Sequence, residues 1–255
     1  MASEAMKRPL FSCVMPVNGS RPFMDEALAS LSAQGMGDDL EVIVQDGDIE
    51  PDAGQSDALN KGFAKAKGEW FFWLNADDVL LPGALESVLD RINSKVDRVE
   101  WIVGNQLLID DAGKVLKCSV GNGWHGWLYR SAVPHVYGPS AFFRHELFEK
   151  IGGFNAELKY CMDWDLWIRL MKAGVEFTRV GDYLWAQRQW VGSKTQRPLS
   201  SEEMAAHLAE VNRMCTQNGF KMTKSGAWLT RVVRLLEGCY LKEFVDGLKW
   251  KGRTI

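Results

Sequence analysis

Residues 70–74, Trp70-Phe71-Phe72-Trp73-Leu74, form a wholly apolar run that stops at Asn75-Ala76-Asp77-Asp78, and Pro82 follows shortly after. A short apolar stretch without polar alternation reads as a strand buried on both faces, the pattern of a parallel sheet covered by helices. Ligands of such sheets gather at the carboxyl ends of the strands. Two neighbouring carboxylates there repel one another and are costly to desolvate, so a divalent cation is their natural partner. On the residues alone a second reading stands beside this one: an Asp pair capping a helix that begins near Pro82.

The surrounding periodicity fits the same kind of sheet. Strands are expected near 10–15, 41–45 and 70–75, and helices near 22–34, near 56–67 and from Pro82 onward. Leu59, Phe63 and Ala66 recur at helical spacing, as do Leu85, Val88, Leu89 and Ile92. Such alternation implies parallel strands joined by right-handed crossovers, a nucleotide-binding type of α/β sheet. Beyond residue 98 the pattern changes. Glu100 to Ile109 and Val115 to Val120 flank Asp110-Asp111-Ala112-Gly113-Lys114, a hairpin signal. Residues 122–134 are rich in Gly, Trp and His and read as a loop, whose tryptophans either fill a satellite core or offer faces for a sugar ring.

The last part of the chain reads as helical. Ser200-Ser201-Glu202-Glu203 looks like a capping box opening a helix to about Asn218, with Met204, Leu208 and Val211 expected inward. From Trp228 to Trp250, Trp228, Val232, Leu235 and Cys239 are expected on one stripe. Lys221 to Ile255 carries eight Lys or Arg against three Asp or Glu. That excess suits either an ordinary amphipathic helix packed on its own domain or peripheral contact with an anionic membrane surface.

Composition narrows the class. With 255 residues, 46% of them hydrophobic, the chain is long enough for one sizeable core or a core plus a small appendage. A net charge of −3 argues against a nucleic-acid surface. Five cysteines without a CxxC pair argue against a disulfide scaffold or a zinc site, and His125, His135, His145 and His207 lack metal-site spacing. No run approaches the roughly 20 apolar residues of a membrane span, so a cytoplasmic protein is expected.

Gly54-Gln55-Ser56-Asp57-Ala58-Leu59-Asn60-Lys61-Gly62, Ala66-Lys67-Gly68-Glu69, the apolar strand and Asn75-Ala76-Asp77-Asp78 together resemble the central signature of the family 2 glycosyltransferases. The resemblance runs from about Pro9 to Thr195. It takes in Leu10 to Val17, the Ser-Leu-x-x-Gln pattern ending at Gln34, Glu41 to Gly47, Tyr137 to Phe143, Gly152-Gly153-Phe154 and Met162 to Leu170. It implies a GT-A fold: a mostly parallel central sheet flanked by helices, with residues 9–98 as the nucleotide-binding half and 99–198 as the acceptor-side half. Residues 199–255 would form a C-terminal helical extension.

The resemblance also implies a chemistry. A sugar would pass, with inversion, from a UDP-, GDP- or dTDP-linked donor to a glycan or lipid-linked acceptor, assisted by Mn²⁺ or Mg²⁺. Asp77, at the last position of the family's Asp-x-Asp, would be the metal ligand, and Asp78 would act through water or on the ribose. Asn75 stands where the first Asp of that motif usually falls. It removes a charge but keeps an acceptor oxygen.

Donor contacts are expected from Pro16, Val17, Asp46, Asp57, Asn60, Asn75, Ala76 and Asp78. Arg188 and Lys194 are expected at the diphosphate, in a segment where Trp190 fills a position often held by histidine. Asp163 aligns with the family's catalytic base, and Trp124, Trp127, Trp164 and Asp165 are acceptor-side candidates. Asn75 and Trp190 keep one alternative in view, a nucleotide-sugar or glycan-binding protein with a decayed site. A sugar nucleotidyltransferase or dinucleotide oxidoreductase fits poorly, because Pro16-Val17-Asn18-Gly19-Ser20 is neither a basic phosphate loop nor a GxGxxG.

Overall fold

The computed structural model describes residues 8–94, 99–193 and 200–255 and is organised around one eight-stranded sheet. Along the chain run β1 (Phe11–Val17), α1 (Met24–Ser32), β2 (Leu40–Asp46), α2 (Gln55–Lys65), β3 (Trp70–Trp73), β4 (Val79–Leu80), α3 (Ala84–Asn93), β5 (Trp101–Ile109) and β6 (Val115–Ser119). There follow β7 (Ala141–Arg144), α4 (His145–Lys150), α5 (Met162–Lys172), β8 (Thr178–Arg188), α6 (Ser201–Gln217), α7 (Lys224–Leu236) and α8 (Cys239–Trp250). The strand order is β2-β1-β3-β7-β5-β8-β4, with β6 paired to β5.

The apolar run does what its composition requires. All four residues of β3 are buried, and they alternate between two cores. Trp70 and Phe72 join Phe11, Leu31 and Leu85 under α1 and α3. Phe71 and Trp73 join Phe63, Trp101 and Trp167 under α2 and α5. Each such aromatic side chain contributes about 1.5–3 kcal/mol by leaving water. α2 lies close on β1: a Cβ added at Gly62 would stand 2.3 Å from a methyl of Val14.

The parallel pattern holds across β2, β1 and β3, and again for β5 with β8. The joins between these groups are antiparallel: β3 with β7, β7 with β5, and β8 with β4. The sheet is therefore mixed rather than mostly parallel. β4, which lies between the Asp pair and the helix after Pro82, was not expected from the sequence. The hairpin at 110–114 is formed, with Asp110 accepting from the amides of Ala112 and Lys114.

The C-terminal helices depart from expectation in their faces. The capping box of Ser200 and Glu203 is present. Val211 and Met214 face the core beside Trp167, but Met204 and Leu208 are exposed. The expected stripe from Trp228 to Cys239 is split: Gly238 adopts φ 71° and separates α7 from α8. Cys239 is buried, whereas Trp228 and Leu235 point into solvent. No helix among the described residues is long and apolar enough to cross a membrane.

Candidate active site

A cavity of about 340 Å³ opens at the carboxyl ends of β1 and β3, lined by Pro16, Val17, Gln55, Asn75, Ala76, Asp77 and Trp190 among others. The two carboxylates behind β3 have different surroundings. Asp78 is buried, and its carboxylate accepts from the Arg188 amide at 2.9 Å and from the Asn75 side-chain amide at 2.8 Å. Burial, and then the neighbouring charge of Asp77, push its pKa up to about 8. Asp77 is half-exposed, and one of its oxygens accepts from the indole N–H of Trp190 at 2.9 Å.

Asn75 is bridged on both sides. Its Oδ1 accepts from Gln55 at 2.9 Å while its Nδ2 donates to Asp78. A carboxylate at position 75 would have no proton to give Asp78 and would bring a further negative charge beside Asp77, so the neutral amide is the compatible group here.

Several residues expected at the donor are engaged elsewhere. Arg188 is 1% exposed: it pairs with Glu26 at 2.7 Å, donates to the carbonyl oxygens of Asp77, Asp110 and Asp111, and lies over the Phe23 ring. It braces the Asp77 backbone and also lines the cavity, with its guanidinium already paired to Glu26. Asp57 accepts from the Ala53 amide and pairs with Lys61, outside the cavity lining. Asn60 clamps the backbone of Phe154, donating to its oxygen and accepting from its amide, both at 2.8 Å. It ties α2 to the 152–154 turn. Asp46 also lies outside the lining, held by Arg21 at 2.7 Å and by the Asp48 amide.

Arg21 lines the cavity and is the cation that sequence reading passed over, because nothing in its local pattern marks it. Lys194 lies outside the described residues.

A second cavity, of about 580 Å³, contains Asp163 and Trp164 on one side and Tyr137, Arg231 and Arg234 on others. Gln187 lines both cavities, so they adjoin at the end of β8. Asp163 lies in the first turn of α5 and accepts from the Trp164 amide at 2.9 Å. His135, in the same lining, has its pKa lowered to about 4 by burial and by Arg234 and Arg179, so its ring is neutral near pH 7.

The turn leading into α5 is fixed from a distant helix. Glu210 of α6 accepts from the amides of Lys159 at 2.9 Å, Tyr160 at 2.6 Å and Cys161 at 3.0 Å. No local signal in the sequence points to this residue.

The other acceptor-side candidates divide. Trp164 lines the second cavity. Asp165 is buried against Arg169 at 2.7 Å and Asn218 at 2.9 Å, a structural arrangement. Trp124 packs against Tyr129 and Phe177 in the core, and Trp127 is exposed away from the lining, so the loop tryptophans are not gathered at the cavity.

Among the described residues no group of three or more His, Cys, Asp or Glu converges as a metal site. Asp77 and Asp78 both line the first cavity, but Asp78 is buried and accepts from the Arg188 amide and Asn75, so Asp77 offers the more available carboxylate. This donor set suits a hard cation carried in by the phosphates of a nucleotide, with one protein ligand, rather than a cation bound by the protein alone.

Comparison with known proteins agrees with this architecture. Residues 50–104 match the family model for glycosyl transferase family 2. An uncharacterized glycosyltransferase of Rickettsia felis is 28% identical over 230 residues, covering 80% of this chain and 37% of the relative. A PGL/p-HBAD biosynthesis glycosyltransferase of Mycobacterium tuberculosis is 26% identical over 204 residues, covering 68% and 74%. The chain thus spans between about a third and three quarters of the length of these relatives.

Among solved structures, S. aureus TarS 1–349 in complex with UDP-GlcNAc superposes with a TM-score of 0.63 at 15% identity, covering 81% of this chain and 66% of TarS 1–349. The mannosyltransferase PcManGT from Pyrobaculum calidifontis, in complex with GDP-Man and Mn²⁺, gives 0.53 at 16% identity, covering 94% and 88%. Segment match, named relatives and shared architecture agree in their likeness to family 2 glycosyltransferases, and the fold is the GT-A fold of the structural neighbours.

Proposed function

We propose that this protein transfers a sugar, with inversion, from a nucleoside-diphosphate sugar to an acceptor hydroxyl. The observation that carries the reading is the adjacency of the two cavities through Gln187, one holding Asp77 and the other Asp163. The donor occupies the first cavity, its nucleotide beside Pro16, Val17 and Ala76 and its phosphates near Asp77 and Arg21. The UDP-GlcNAc of TarS and the GDP-Man of PcManGT support a donor of this class, of which a dTDP-sugar is a third form.

A Mg²⁺ or Mn²⁺ ion held by Asp77 and the donor phosphates would supply Lewis-acid stabilisation of the departing diphosphate. Asn75 keeps Asp78 in place, and Asp78 in turn fixes the Arg188 backbone, so the Asp77 carboxylate meets the donor in a set direction.

Asp163 takes the proton of the acceptor hydroxyl as that oxygen attacks the anomeric carbon and the bond to the diphosphate oxygen breaks. Its place in the first turn of α5 fixes its direction, so positioning carries much of the rate. Attack from the face opposite the leaving group inverts the anomeric centre. The acceptor is a glycan or a lipid-linked sugar of a surface polysaccharide or glycolipid pathway, received by the second cavity beside Trp164. The likeness to the mycobacterial PGL/p-HBAD biosynthesis glycosyltransferase supports that class.

Asp163→Asn tests the reading. It should keep thermal stabilisation by UDP or GDP with Mn²⁺ while abolishing sugar transfer. Asp77→Ala should remove the metal-dependent part of that stabilisation. Undiminished transfer by Asp163→Asn would refute the assignment of the base.

A further inference from the structure

The C-terminal hairpin is amphipathic the wrong way round for a helix pair that merely completes a core. α8 turns Cys239, Glu243, Asp246 and Trp250 toward the body and sends Leu241, Phe244, Val245 and Leu248 outward. Leu241, Phe244 and Leu248 are 67%, 65% and 73% exposed. α7, which packs against α8, also exposes Trp228, Leu235 and Leu236. Contiguous exposed apolar surface of this kind marks a place that something else covers.

The charges around it say what. All three acidic residues beyond Lys221 are engaged by the protein itself. Glu237 accepts from Gly123 and pairs with His125. Glu243 accepts from the Val120 amide and pairs with Arg234 at 2.6 Å. Asp246 accepts from the Tyr183 hydroxyl at 2.9 Å and pairs with Lys242.

The cations are distributed differently. Lys224 and Arg231 share the spacing of Trp228 and Leu235 along α7, and Lys249 stands one turn after Val245 on α8. Lys221, Lys224, Arg231, Lys249, Lys251 and Arg253 are all exposed. An apolar face bordered by cations, with its acids drawn inward, is complementary to the headgroup and acyl boundary of an anionic bilayer.

We infer that the outer face of α7 and α8 docks this protein on an anionic lipid surface. Ala227 and Arg231, on α7, also line the cavity that holds Asp163, so the docked face borders that cavity. The docking argument stands on the exposed surface alone and does not depend on the transfer reading.

Cosedimentation with vesicles of phosphatidylcholine mixed with phosphatidylglycerol, against vesicles of phosphatidylcholine alone, tests it. The protein should pellet with the anionic vesicles, and high salt should weaken the binding. Leu241→Ser/Phe244→Ser/Leu248→Ser should lower the partition coefficient at least about tenfold, and Lys224→Glu/Lys249→Glu should do so separately, given about 1 kcal/mol per cation near an anionic surface. These side chains are exposed, so both variants should unfold at the wild-type temperature and keep wild-type nucleotide-induced stabilisation.

Failure to pellet with anionic vesicles would overturn the inference. So would wild-type partitioning by the Ser variant, or a dimer in sedimentation velocity that the Ser substitutions dissolve, which would assign the face to a second copy of the chain.

Discussion

Replacing Glu210 by Gln should loosen the turn that carries Asp163. In the native protein one carboxylate receives three main-chain amides, from Lys159, Tyr160 and Cys161, at 2.9, 2.6 and 3.0 Å, and the residue is buried. Glutamine retains one carbonyl oxygen. It therefore keeps the contacts of one oxygen as neutral hydrogen bonds and sets an NH₂ group against an amide donor at the other. Hydrogen bonds to a charged acceptor are worth about 1.5–3 kcal/mol and neutral ones about 0.5–1.5 kcal/mol, so with one bond lost and two weakened a total loss of about 3.5–6 kcal/mol is expected.

The pH dependence carries a separate signature. Burial raises the Glu210 pKa, but the amides of Lys159, Tyr160 and Cys161 together outweigh it and hold the group below the usual carboxylate value. A depressed folded-state pKa contributes stability that is present above the unfolded pKa of about 4.3 and is lost as pH falls through the folded value. Urea unfolding at neutral and at acid pH should thus show a gap between wild type and Glu210→Gln that narrows in acid. In transfer assays kcat should fall with little change in the donor KM, since Glu210 touches only the acceptor-side turn. A stability loss below about 0.5 kcal/mol, within the range of ordinary surface changes, with no change in the acid limb, would refute the reasoning.

Three further outcomes are expected. Gly62→Ala would press a methyl to 2.3 Å from Val14 and should cost about 1–3 kcal/mol, read as a lower denaturant midpoint with unchanged slope. Asp165→Ala would leave Arg169 and Asn218 without their shared partner and should cost about 3 kcal/mol in the same assay. Trp190→Phe keeps a ring near Phe23 but removes the N–H that engages Asp77. If the indole competes with a cation for that oxygen, calorimetric titration of Mn²⁺ in the presence of UDP should show tightening of about tenfold, the equivalent of one charge-assisted hydrogen bond. Unchanged or weaker binding would exclude such competition.

Much of the architecture was legible because each element carries its own periodicity. β3 could only be a strand buried on both faces, given Trp70 to Trp73 without a polar residue, and the helical spacing of Leu59 and Phe63 and the capping box at Ser200 needed no distant partner. The position of Asp77 and Asp78 at a strand end, and of Asp163 in the first turn of a helix, followed from the same local reading.

Direction and partnership were another matter. Strand pairing joins segments far apart in sequence, so the antiparallel joins of β7 and β4 carried no local mark. Periodicity likewise reveals that α7 and α8 each have an apolar face, but not that it points outward; that depends on the inward partners Val120, Tyr183 and Arg234 for the acids.

The same holds within the site. The family resemblance and helix position put Arg188 and Asn60 at the donor, yet a guanidinium surrounded by Glu26 and three carbonyls, and an amide clamping Phe154, are also bound by groups from other parts of the chain. The sequence by itself determined the strands and helices of the first hundred residues other than β4, the double burial of β3 and the strand-end acids, because those follow from hydrophobic patterning within one segment. Only the tertiary structure decided which polar side chains remain available for chemistry, because a hydrogen-bonding group is engaged by whichever distant partner the fold brings within reach.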